Sequence, residues 1–155
     1  MNKAIGIGNR LMMDDGIAIA VLESIRDNLK KIGWEVIIGE TDLLFSFNQV
    51  KEDDFVIILD ATYSGGLAGS VSYCKLEEAI TSYGAMNYQH DMSIFDLMRL
   101  YSKYVRGYFI GIEIAEVGFQ CELSDTLKKM FEDICLYVEN LIKEIVKEEI
   151  SYAWY

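Results

Sequence analysis

The run Phe55-Val56-Ile57-Ile58-Leu59-Asp60 constrains the fold more than any other segment. Consecutive apolar residues without polar alternation read as a strand covered on both faces, as in the parallel sheet of an α/β protein. Parallel neighbours need long crossover connections, usually helices. The rest of the chain supplies the pieces. Strands are predicted at Lys3 to Gly8, Trp34 to Ile38, Asp54 to Asp60, Ser70 to Leu76 and Val105 to Ile112. A helix from Asp15 to Lys31 carries Ile17, Val21, Ile25 and Leu29 on one stripe and stops at Gly33. Thr41 to Phe47 reads as a short helix or loop, Thr62 to Gly69 as a mobile loop, and Tyr83 to His90 as irregular. Met92 to Lys103 is predicted as a helix with Ile94, Leu97, Met98 and Tyr101 inward. Leu123 to Glu149 reads as a long amphipathic helix whose stripe runs from Leu127 through Phe131, Ile134, Val138 and Leu141 to Ile145. This order predicts a three-layer α/β/α sandwich, with residues 1–155 forming one domain.

Composition narrows the function. No apolar run approaches the ~20 residues of a membrane span. Met1 to Ala4 leaves no room for a signal peptide before the first strand, so a cytoplasmic protein without membrane insertion is expected. Cys74, Cys121 and Cys135 include no C-x-x-C pair, which argues against a disulfide framework and a cysteine zinc site; buried thiols are expected instead. The net charge of −11 disfavours nucleic acid, since phosphate binding needs a basic surface. Part of that charge lies on the C-terminal helix, at Glu132, Asp133, Glu139, Glu144, Glu148 and Glu149, and fits solvation or a basic protein partner.

Three positions stand out chemically. Ala4-Ile5-Gly6-Ile7-Gly8-Asn9 reads as a buried strand ending in a glycine turn, and Met12-Met13-Asp14-Asp15-Gly16 follows at the mouth of a helix. Aspartate is a favoured N-cap, yet one cap needs only one of the pair. Asp60 ends the most apolar strand, where it would either bond amides of the glycine-rich segment that follows or face a site. His90, the only histidine, precedes a predicted helix and is either structural or a ligand. Together Asp15, Asp60 and His90 would form a borderline-hard site for Ni²⁺, Zn²⁺, Mn²⁺ or Fe²⁺ with open positions. There is no G-x-S-x-G elbow, none of the cysteines stands in a catalytic context, and Leu11 stands where a dinucleotide fingerprint needs its third glycine.

The segment Gly6 to Ala18 resembles the N-terminal signature of hydrogenase maturation endopeptidases, roughly G-x-G-N-x-L-x-x-D-[DE]-G-x-G. Ile57-Ile58-Leu59-Asp60-Ala61, then His90-Asp91 with Leu97, then Ile110-Gly111-Ile112-Glu113 with Gly118 and Leu123-Ser124, resemble its later motifs in order. Arg10 stands where proline is common, Ala18 replaces the last glycine of the signature, and Ile114 replaces a usual proline. The resemblance implies a twisted, mixed, mainly parallel five-stranded sheet of the phosphorylase/hydrolase-like type. It implies removal of a C-terminal peptide from a nickel–iron hydrogenase large-subunit precursor after nickel insertion. Nickel would arrive with that precursor, a monomeric enzyme would hold none of its own, and Asp15, Asp60 and His90 would meet the ion. Peptidyl-tRNA hydrolases share the G-x-G-N opening, and a non-catalytic nickel chaperone or sensor could use the same ligands. The acidic charge speaks against the first of these; a cleavage assay separates the second.

Overall fold

A computed structural model describes residues 1–86 and 92–152. Five strands form one sheet: β1 (Asn2–Ile7), β2 (Trp34–Glu40), β3 (Phe55–Thr62), β4 (Val71–Lys75) and β5 (Arg106–Glu113). Their order is β2-β1-β3-β5-β4. All pairings are parallel except β4 against β5. The helices are α1 (Ile17–Lys31), α2 (Leu43–Asn48), α3 (Leu76–Met86), α4 (Ile94–Leu100) and α5 (Asp125–Tyr152), with a 3-10 turn at Met13–Gly16.

The pleat of β3 explains the three layers. Phe55, Ile57 and Leu59 join Ala4, Ile110 and Ile112 in one core, covered by α1 and α5. Val56 and Ile58 join Ile5, Ile7 and Phe109 in a second, covered by α2, α3 and α4. Successive strand residues point to opposite faces, so a central strand with a core on each side must be apolar throughout. The stripes of α1 and α5 hold: Ile17, Val21, Ile25, Leu29, Leu127, Ile134, Val138, Leu141 and Ile145 are buried, while Phe131 is half-buried against the same core.

Three expectations fail. Tyr83 to Met86, read as irregular, belongs to α3, which starts directly after β4 with no loop. Leu76, Ala79 and Ile80 give that helix its i, i+3, i+4 anchor on the second core. Tyr101 is exposed rather than inward, because α4 ends at Leu100; its ring rests on Phe47 from outside, with centroids 5.4 Å apart. Of the thiols, only Cys135 is buried; Cys74 is half-buried and Cys121, on an open loop, is exposed.

Candidate active site

The turn after β1 sorts its two aspartates. Gly8 has φ +145°, and a Cβ there would sit 2.2 Å from the Asp15 carbonyl oxygen, so only glycine lets the turn close. Neither aspartate caps α1, whose N-cap is Gly16 without a side-chain bond. Asp14 is fully buried and turns away from α1 toward the β5–α5 loop. Its Oδ2 accepts from Ala115 N (3.0 Å), Glu116 N (2.8 Å) and Ser124 Oγ (2.8 Å), and its Oδ1 from Ser124 N (2.7 Å). Asp15 is half-buried; its Oδ2 accepts from Asn9 N (2.8 Å) and its Oδ1 from the Tyr63 hydroxyl. Burial and the Asp15 charge raise the Tyr63 pKa, which keeps that hydroxyl a donor.

Asp60 does not bond the glycine-rich loop. Its Oδ1 accepts from the next residue's amide, Ala61 N, at 2.8 Å. The loop is held by Glu113 at the end of β5, which is 4% exposed. Its Oε2 accepts from Thr62 Oγ1 (2.7 Å), Ser64 Oγ (2.9 Å) and Ser64 N (3.2 Å), and its Oε1 from Gly65 N (2.9 Å). Burial disfavours the Glu113 charge, but these donors outweigh it and lower the pKa. With the loop tied by Glu113, Asp60 is left on the side of a cleft. It lines a cleft of about 470 Å³ together with Gly8, Asp15, Glu40, Met92 and Ser93. Desolvation, with the nearby Asp15 charge adding to it and the Ala61 amide opposing, pushes its carboxyl up to about 8.

Asp15 and Asp60 thus share one cleft at the carboxyl ends of neighbouring parallel strands. Among the described residues, no Lys or Arg forms an ion pair with either. The opposite end of the sheet behaves differently. There Asp54 meets Lys3 Nζ at 2.7 Å and the Met1 amine at 3.1 Å. Burial works against its charge, yet the bonds from Lys3, Lys51 and Met1 hold it at about 2. His90 lies outside the described residues. Among those described, no three His, Cys, Asp or Glu side chains group to hold a metal ion.

The sequence matches the family model for hydrogenase maturation protease, HycI, over residues 19–144. The chain belongs to the hydrogenase maturation protease family. It is therefore a peptide-bond hydrolase, and the peptidyl-tRNA hydrolase alternative falls. No curated protein matches it by sequence. Solved structures agree in fold. The hydrogenase maturating endopeptidase HybD from E. coli is similar with TM-score 0.71, 18% identity and 92% of each chain covered. HycI from Thermococcus kodakarensis KOD1 gives TM-score 0.74 and 18% identity, again over 92% of each chain. HybD from Thermococcus kodakarensis gives TM-score 0.65 and 24% identity over 91% of this chain and 99% of its own.

Within this maturation protease, sequence reasoning overlooked the roles of Tyr63 and Glu113. The signal for Glu113 was available: a carboxylate closing an apolar strand run needs partners if buried. Tyr63 carried no signal, because its contact with Asp15 spans 48 residues of sequence. No described helix is long and apolar enough to cross a membrane.

Proposed function

We propose that this protease removes the C-terminal peptide from a nickel–iron hydrogenase large-subunit precursor after nickel insertion, with Asp15, Asp60 and His90 meeting the nickel that the precursor carries. The observation behind this reading is the cleft itself. Two carboxylates share it with no ion-paired cation among the described residues, and one of them is held protonated to about pH 8 by desolvation. A divalent ion brought by the substrate would relieve that cost. His90, outside the described residues, belongs to the set because it matches the family's histidine in the sequence.

Two carboxylates and an imidazole leave coordination positions for substrate groups, and they suit a borderline-hard ion. An ion so held polarises the scissile carbonyl or activates water, so no protein nucleophile is required. Asp15, fixed by two donors, would hold the ion. Asp60, ionised once the substrate's ion offsets its desolvation, would accept the proton of the attacking water and pass it to the leaving amine, the aspartic-type element of the mechanism. Residues 1–155 act as one monomeric unit in this reading. Three free cysteines, with Cys121 exposed, fit a reducing compartment such as the cytoplasm.

The test is incubation with nickel-loaded and nickel-free precursor, followed by the mass of the large subunit. Cleavage of the loaded form alone is expected. Equal cleavage of both would sink nickel recognition while leaving the protease. Cleavage of neither, with tight nickel binding by the free chain, would favour the chaperone or sensor reading.

A further inference from the structure

A second cavity is linked to the cleft by the Tyr63–Asp15 hydrogen bond. It measures about 500 Å³ and lies between the β3–β4 and β5–α5 loops, lined by Tyr63, Gly65, Gly66, Ala68, Ala115 and Thr126 among others. Tyr63 links the two spaces: it lines this groove, and its hydroxyl bonds Asp15 in the cleft. We propose that the groove seats an extended, apolar segment of the precursor adjoining the cleavage point. The proposal rests on the reading that Asp15 and Asp60 form the processing site.

Four features of the groove support this occupant. One residue joins it to the cleft, since Tyr63 lines the groove and its hydroxyl bonds Asp15 on the cleft wall. Gly65, Gly66, Ala68 and Ala115 make half of its lining, beside Ile114 and the hydrogen-bonded Glu113, and these small residues let a main chain come close. The loops that form it also carry Leu67, Val117 and Phe119, which are 81%, 44% and 90% exposed. Exposed apolar side chains gathered on two facing loops mark a contact surface for apolar residues of a partner. Both loops are preorganised. Glu113 fastens one through Thr62, Ser64 and Gly65, and Asp14 fastens the other through Ala115, Glu116 and Ser124. A rigid groove beside the reacting centre is what a protease uses to convert remote binding into orientation of the scissile bond. The cavity of about 450 Å³ around Lys75, Glu77 and Arg106 lies at the other end of the sheet and serves as the control.

The experiment places p-benzoylphenylalanine at Thr126, an exposed position in the first turn of α5, and irradiates the protein with nickel-loaded precursor. Crosslinks to precursor residues adjoining the cleavage point are expected. In parallel, Thr126→Trp and Ala68→Trp should each raise KM about tenfold with kcat within about twofold, the signature of lost substrate binding. The distant Glu77→Trp should leave both unchanged. Absent crosslinks, crosslinks only to remote surfaces of the precursor, or an unmoved KM in both tryptophan variants overturns the groove. Wild type assayed alongside separates the two ideas. Cleavage by wild type with unaffected variants removes the groove alone; a wild type that cleaves neither form of precursor removes the processing site and the groove with it.

Discussion

Adjacent residues can do unrelated work when a turn sends their side chains apart, and Asp14 and Asp15 show it. Asp14→Ala strands three amides and a hydroxyl in a buried place. Each unsatisfied buried group costs about 1–3 kcal/mol, so a loss of roughly 3 kcal/mol or more is expected in urea unfolding. Asp15→Ala should instead abolish processing with stability changed by only about 1 kcal/mol, since the residue is half-buried and its donors can turn to water. A second prediction concerns Asp60. Its carboxyl stands near 3.8 unfolded and about 8 folded. Between those values the folded state binds more protons than the unfolded one, so this group's contribution to stability falls as pH rises through that window. Asp60→Asn should abolish processing and flatten this slope, leaving the variant more stable than wild type at pH 8 but not at pH 4. Urea midpoints at both values check it, and a wild type at least as stable at pH 8 would refute the desolvated carboxyl.

Loops and helices in this fold are set by buried carboxylates as much as by local propensity. The Thr62 to Gly69 loop, read from its glycines as mobile, has its first half tied to Glu113. Glu113→Gln replaces one multiply bonded acceptor oxygen with a donor amide. The expected cost is about 1–3 kcal/mol, with hydrogen exchange speeding at Ser64 and Gly65 well before global unfolding. Exchange confined to the global rate would show that the tie does not govern the loop. Helix α3 was legible in part: Leu76, Ala79 and Ile80 stand at helical spacing. The reading missed it because β4 passes into α3 without the glycine or polar break that marks a boundary.

Across the whole molecule the two ends of the sheet differ in electrostatics. Asp54 at one end is matched by Lys3 and the Met1 amine, whereas Asp15 and Asp60 at the other form no ion pair among the described residues. An unmatched acidic pair in a cleft is costly for a folded chain and useful to one that receives a cation. The thiols take no part in this arrangement. Replacing Cys74, Cys121 and Cys135 together by serine should leave processing of loaded precursor intact, with a stability loss of about 1 kcal/mol from buried Cys135. Loss of cleavage in a variant that still melts cooperatively would point to a thiolate mechanism.

The sequence by itself determined the layer order, the parallel centre of the sheet and both long helices, and it singled out Asp15, Asp60 and His90 as candidates. Those features follow from patterns a few residues long: an unbroken apolar run, a four-residue stripe, a signature around a glycine turn. Tertiary structure alone decided that Asp14 fastens the β5–α5 loop, that Glu113 fastens the glycine-rich one, and that Tyr63 reaches Asp15. These depend on hydrogen bonds between residues about 50 to 110 positions apart. Such bonds form only once the sheet has brought the strand ends together, so no local pattern could encode them.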